Sequence, residues 1–169
     1  MTLLRPATAS LALAALLFVA ADARADDVDY RTGGKRFAKV WHAFYDLSDH
    51  EPEIDDPLIA AGRPMVPAIC EAIAHQDMKY RRYAIGALGY IGDRKAVPTL
   101  VGVLENAGEQ AYFRSDALLA IYRIDQPLGT RHARQYRYAD KPIAMIAEAI
   151  LRKDPWLLQP SEEEGPFEE

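Results

Sequence analysis

KYRRYAIGALGYIGDRKAVPTLVGVLENAGEQAYFRSDALLAIYRID, residues 79–125, contains one pattern nearly twice. Tyr80-Arg81-x-x-Ala84-x-x-Ala87-Leu88-x-x-Ile91 returns as Phe113-Arg114-x-x-Ala117-x-x-Ala120-Ile121-x-x-Ile124, 33 residues later. A second pattern runs beside it. Val66-Pro67-x-Ile69-Cys70-x-x-Ile73 returns as Val97-Pro98-x-Leu100-Val101-x-x-Leu104, offset by 31 residues. A period in the range of about 20–50 residues marks a stack of small units, none of which can bury its apolar stripe alone.

The unit therefore reads as helix A over residues 79–91, a tight turn at Gly92-Asp93, and helix B over residues 96–106. In helix A, Tyr83, Ala84, Ala87, Leu88 and Ile91 can pack while Gly86 and Gly89 admit a neighbouring backbone. The next helix A spans residues 111–124. Leu88, Ile91, Leu100, Leu104, Ala117 and Ile121 occupy the facing stripes and are expected to be nearly fully buried. The fold class that follows is all-α, a short solenoid of antiparallel helix pairs.

On the N-terminal side, Phe37, Val40, Trp41, Phe44 and Leu47 give residues 35–47 one broad aromatic face at helical spacing. Residues 48–57, SDHEPEIDDP, hold two prolines among acidic side chains and read as a loop. A helix follows over residues 65–75, with proline tolerated in its first turn. On the C-terminal side, residues 126–139 read as a polar insert rich in arginine and tyrosine, interrupting the last unit. Pro142 then opens a helix with Ile143, Ile146, Ala147, Ile150 and Leu151 on one face. The repeat domain is placed at residues 35–158. Residues 26–34 are expected to be a loose N-terminus, and 159–169 a disordered acidic tail.

The unit from Tyr80-Arg81 through Gly89-x-Ile91-Gly92-Asp93-x-x-Ala96-Val97-Pro98 to Leu104 resembles a HEAT-like repeat of the short kind named from phycobilisome lyases. The resemblance covers roughly half of the chain after its first 25 residues. It implies a right-handed superhelix with the B helices lining a concave surface that receives other proteins. It further implies that Arg81 and Arg114, at one repeat position, span to a neighbouring carboxylate or helix end. Asp93, Asp116 and Asp125 are the available acids. Their role on this reading is structural.

Composition and charge narrow the partners. The 169 residues are 50% apolar and 27% charged, ordinary for a globular domain, and the formal charge is −5. That balance argues against a generic nucleic-acid binder, which carries a basic surplus. Within residues 26–169, basic side chains outnumber acidic ones across residues 79–137, between two acidic ends. At the N-terminus, Arg5 precedes the apolar run Leu11–Ala21, and Ala23-Arg24-Ala25 fits a small-x-small cleavage site. Residues 1–25 are read as a signal peptide, giving an exported chain, periplasmic or secreted, that starts at Asp26. The run is too short to remain as a stable membrane anchor.

The residues that could carry chemistry are few. His42, Asp46 and His50 recur at four-residue spacing, and Glu51, Glu53, Asp55 and Asp56 lie beside them. This set lacks the regular spacing and central glycine of a calcium loop, so no metal is assigned. Cys70, the single cysteine, occupies the core position equivalent to Val101 and reads as a small hydrophobe. No serine–histidine–acid grouping or phosphate loop is visible, and neither a catalytic residue nor a cofactor is assigned.

An interaction role is left. If Val97, Leu100, Val101 and Leu104 face inward, then Thr99, Gly102, Val103 and Asn106 face the concave side, with Ala68, Glu71, Ala72 and His75 in the preceding unit. Arg131, Arg134 and Tyr138 fall at i, i+3, i+7 and would form an arginine- and tyrosine-rich rim on one helical face. The candidate partner-binding set is Glu71, His75, Thr99, Asn106, Arg131, Arg134 and Tyr138. The expected function is a non-catalytic scaffold or adaptor engaging another protein, an acidic segment by preference. The alternatives are a lyase-like or cofactor-handling protein and a divalent-cation binder.

Overall fold

The computed structural model describes residues 35–50 and 55–158. The expected signal peptide, the N-terminus up to residue 34, Glu51 and Glu53, and the acidic tail lie outside them. The described residues form eight helices: α1 (Lys35–Asp46), α2 (Pro57–Ala61), α3 (Val66–Ala72), α4 (Arg81–Ile91), α5 (Val97–Glu105), α6 (Ala111–Ile124), α7 (Gln126–Tyr136) and α8 (Lys141–Arg152). Short 3-10 turns lie at Arg63–Met65, Arg94–Ala96 and Pro155–Leu158.

Helices α2, α4, α6 and α8 pack side by side as one layer. Helices α3, α5 and α7 follow them in alternation as the second members of the pairs, and α1 closes the N-terminal end against α2. Helix α6 sits at the centre, packed on α4, α5, α7, α8 and the C-terminal turn. The arrangement is the all-α solenoid that the sequence period requires.

One starting device recurs at three units. Asp56 Oδ1 accepts from the Leu58 amide at 2.8 Å, Asp93 Oδ1 from Lys95 at 3.0 Å, and Asp125 Oδ1 from Leu128 at 3.0 Å. Each satisfies an amide that the first helical turn leaves without a partner. A proline stands in the first turn of α2, α3, α5, α7 and α8, where its missing N–H costs nothing. Gly92, at φ 70°, ends α4.

The core runs through the stack. Leu88, Leu100, Leu104, Ala117 and Ile121 are fully buried, as the repeat register requires. Ile91, the last residue of α4, is only partly buried and packs at the edge of the core. Helix α3 stops at Ala72, short of the expected His75, and α2 is a helical turn that starts at Pro57, the last residue of the stretch read as an acidic loop.

The largest correction concerns residues 126–139. They are not an insert: residues 126–136 form α7, the partner of α6. Its buried face is Gly129, His132 and Ala133, so no large apolar stripe betrays it. The small residues have a purpose. A Cβ on Gly129 would lie 2.5 Å from Tyr122 Cα, so α6 and α7 approach backbone to backbone there, as α4 and α6 do at Gly89 against Ala120.

The repeated arginines tie one pair to the next. Arg81 Nε donates to the Ile73 carbonyl at 2.7 Å, just past the end of α3, and its Nη1 donates to Glu109 at 2.7 Å. Arg114 Nε donates to the Leu104 carbonyl at 2.8 Å, in the last turn of α5. Asp93, Asp116 and Asp125 serve elsewhere: Asp93 caps the turn before α5, Asp116 pairs with Arg82, and Asp125 with Arg94. Each repeat arginine also lies over a ring, Arg81 over Phe113 at 4.9 Å and Arg114 over Tyr136 at 5.6 Å.

Two outcomes follow for stability. Arg81→Met should cost about 3–5 kcal/mol, because it leaves the buried Glu109 carboxylate without its counter-charge. Arg114→Met should cost less, about 1–3 kcal/mol, since it loses a hydrogen bond from a charged group and the contact with Tyr136 but strands no buried carboxylate. Urea titration of both variants tests the order; equal small losses would contradict it. Gly129→Ala should destabilise by about 1–3 kcal/mol through the clash at Tyr122, whereas a neutral result would show that α7 is free to move away.

Candidate functional site

Among the described residues, two depressions lie near the candidate residues, and they share no lining residue. The first, about 210 Å³, lies between α5 and the turn after α3. Thr99, Gly102, Val103 and Asn106 form one wall at helical spacing, with Val103 as its buried floor. The opposite wall is Ile73, Ala74 and Gln76, and the Arg81–Glu109 pair closes one end. Glu71 and His75 are exposed but do not line it, while Ala68 and Ala72 are buried. The preceding unit departs from the expected register because α3 ends at Ala72, so the chain has already turned where His75 would extend a helical face.

The second depression is larger, about 690 Å³, and lies where α7 runs beside α8. Arg131, Arg134 and Lys153 stand around it, with Tyr122, Ile150 and Leu151 beneath and Gln126, Pro127 and Thr130 at its edge. No acidic side chain is in this lining, and among the described residues none of the three cations makes an ion pair. Arg131 and Arg134 owe their common placement to their i, i+3 spacing on α7. Tyr138 does not join them. The helix ends at Tyr136, and Tyr138 is 85% exposed with the Arg137 guanidinium 4.8 Å over its ring. Arg131 and Arg134 thus line a different depression from the one beside α5.

Lys153 is the residue the linear sequence hides. It belongs to the next helix, where it ends α8 at φ 58°. Only the antiparallel packing of α7 on α8 brings it opposite Arg131 and Arg134. A basic residue just past a helix end is an ordinary cap, so its spacing alone carries no signal.

The His42, Asp46 and His50 set does not converge. His42 and Asp46 are exposed on α1, whereas His50 is buried past its end, with Nδ1 2.9 Å from Asp56 Oδ2. The His50 ring stacks on Tyr83 at 4.6 Å and meets Phe44 and Tyr80 at similar range. Among the described residues no three side chains of histidine, cysteine, aspartate or glutamate gather as a metal site. Cys70 is half-buried rather than in the core. Burial pushes its thiol pKa up, a hydrogen bond with Thr99 opposes that, and the Asp93 charge adds to it. A thiol held in its neutral form is a poor nucleophile.

No helix among the described residues is long and apolar enough to cross a membrane. Residues 66–152 match the family model for HEAT repeats. The chain is also 28% identical over 107 residues to deoxyhypusine hydroxylase of Gallus gallus, an alignment covering 62% of this chain and 35% of that protein. It therefore spans about a third of the length of the relative it matches. No solved structure matches it. The family match runs from α3 to the end of α8, over the helix pairs that follow the sequence period and over half of the chain, and the chain belongs to the HEAT-repeat family.

Proposed function

We propose that this protein is a non-catalytic repeat scaffold that holds an acidic segment of another protein in the depression between α7 and α8. One observation carries the reading: Arg131, Arg134 and Lys153 surround an apolar floor with no carboxylate in the lining. Glutamate or aspartate side chains of a partner would supply the missing charge, and Tyr122, Ile150 and Leu151 would receive an apolar side chain. Arginine suits this task because its planar fork can grip a carboxylate with two parallel hydrogen bonds. The concave depression, at about 210 Å³, takes little more than one side chain and is a secondary contact.

The likeness to a hydroxylase favours a second reading, an enzyme or cofactor-handling protein. The two separate by their ligands: an enzyme needs a pocket with converging polar groups around a small substrate, a scaffold an extended charged surface. Export is the remaining part of the proposal, carried by the apolar run Leu11–Ala21 and the site Ala23-Arg24-Ala25.

Replacing Arg131 and Arg134 together by alanine should slow association of a glutamate-rich, phenylalanine-containing peptide by about tenfold at low salt, because exposed charges act chiefly on encounter. The salt dependence should flatten and the circular dichroism stay unchanged, while Tyr138→Ala should bind as the parent does. Stopped-flow measurement at several salt concentrations decides it; an unaltered rate and salt response in the double variant would sink the reading. For export, N-terminal sequencing of the secreted fraction should return Asp26, and a retained Met1 in membranes would count against cleavage.

A further inference from the structure

We infer that the chain's own C-terminal tail, residues 159–169, occupies the depression between α7 and α8 and competes there with the outside segment. The inference rests on the reading of that depression as a carboxylate-binding surface and names what regulates it.

The first support is where the described chain stops. Arg123 Nε donates to the Leu157 carbonyl at 2.9 Å, and the Leu157 side chain is fully buried. The last described turn is thereby fixed to α6, and Tyr122, beside Arg123, lines the depression. Lys153 lines it too and precedes Leu158 by five residues. Since a chain covers at most ~3.3–3.6 Å per residue, these two lie within ~18 Å of each other. Glu164 comes six residues after Leu158 and reaches ~20 Å in the extended state. The tail is long enough to return to the depression.

The second support is chemical. The tail reads QPSEEEGPFEE: Glu162, Glu163, Glu164, Glu168 and Glu169, no cation, and Phe167 as its one large apolar residue. The depression offers the reciprocal set, three cations without an ion pair among the described residues, over Tyr122, Ile150 and Leu151. Two runs of glutamate on either side of one aromatic match cations placed around an apolar floor. A tethered segment also acts at an effective concentration near the millimolar range, so modest intrinsic affinity is enough to fill the surface.

The test compares the full chain with its variant Glu162→Gln, Glu163→Gln, Glu164→Gln, Glu168→Gln and Glu169→Gln. Each is titrated with a labelled synthetic peptide of residues 159–169, and separately with an unrelated glutamate-rich peptide. The glutamine variant should bind the tail peptide in a salt-sensitive way, and adding Arg131→Ala, Arg134→Ala and Lys153→Ala to it should abolish binding. The parent chain should bind about tenfold more weakly, as expected when a tether near 1 mM competes at a dissociation constant of about 0.1 mM. Equal binding by parent and glutamine variant overturns the inference. So does failure of the tail peptide to bind the glutamine variant while the unrelated peptide binds through the arginines, an outcome that leaves the scaffold reading standing. If neither peptide binds, both fall. A parent chain that sediments as a dimer, with a monomeric glutamine variant, would assign the tail to a second copy and overturn the intramolecular form.

Discussion

A helix that ends inside a stack leaves carbonyls with no amide to receive, and water reaches them poorly. This protein meets that constraint with arginine. Arg81 answers Ile73, Arg114 answers Leu104, and Arg123 answers Leu157, each through Nε at 2.7–2.9 Å. Each guanidinium then lies against a ring from a neighbouring element: Phe113, Tyr136 and Tyr90 respectively. One side chain therefore closes a helix end, fixes the next helix against it and fills the gap between them. Lysine could not do the same, having a mobile point charge and no flat face to stack.

The constraint also explains what was readable in advance. Arg81 and Arg114 fall in one register because the same carbonyl problem recurs once per unit, so the repeat and the helix pairs at 79–124 could be drawn from the linear chain. Helix α7 could not. Its inward face is Gly129, His132 and Ala133, chosen for close approach to Tyr122 rather than for hydrophobicity, and close approach leaves no apolar period. Helix α2 escaped for another reason: five residues opened by a proline resemble a loop until Asp56 is seen capping them and receiving His50. Of the candidate site, the α5 wall with Thr99 and Asn106 follows from helical spacing alone. Lys153 does not, since its place opposite Arg131 depends on how two helices pack and on nothing local.

The two depressions divide along chemical lines. Between α5 and the turn after α3, the charged groups at one end are already satisfied by each other, Arg81 by Glu109 at 2.7 Å. Between α7 and α8 the cations lack acidic partners among the described residues. Internal pairing stabilises a fold and consumes recognition; unpaired charge keeps recognition available. The same residue type is thus paired and buried at Arg81 and exposed at Arg131.

The position of α6 changes how such a short array behaves. In a long solenoid each unit touches only its neighbours, and damage at one end need not be felt at the other. Here one helix borders α4, α5, α7, α8 and the C-terminal turn together. All of these belong to its own helix pair or to the elements on either side, so the nearest-neighbour picture holds, but in an array this short those neighbours make up most of the C-terminal half. A unit at the end of so short an array is never far from the middle, so the loss of α6 packing would expose the stripes of the pairs on both sides at once.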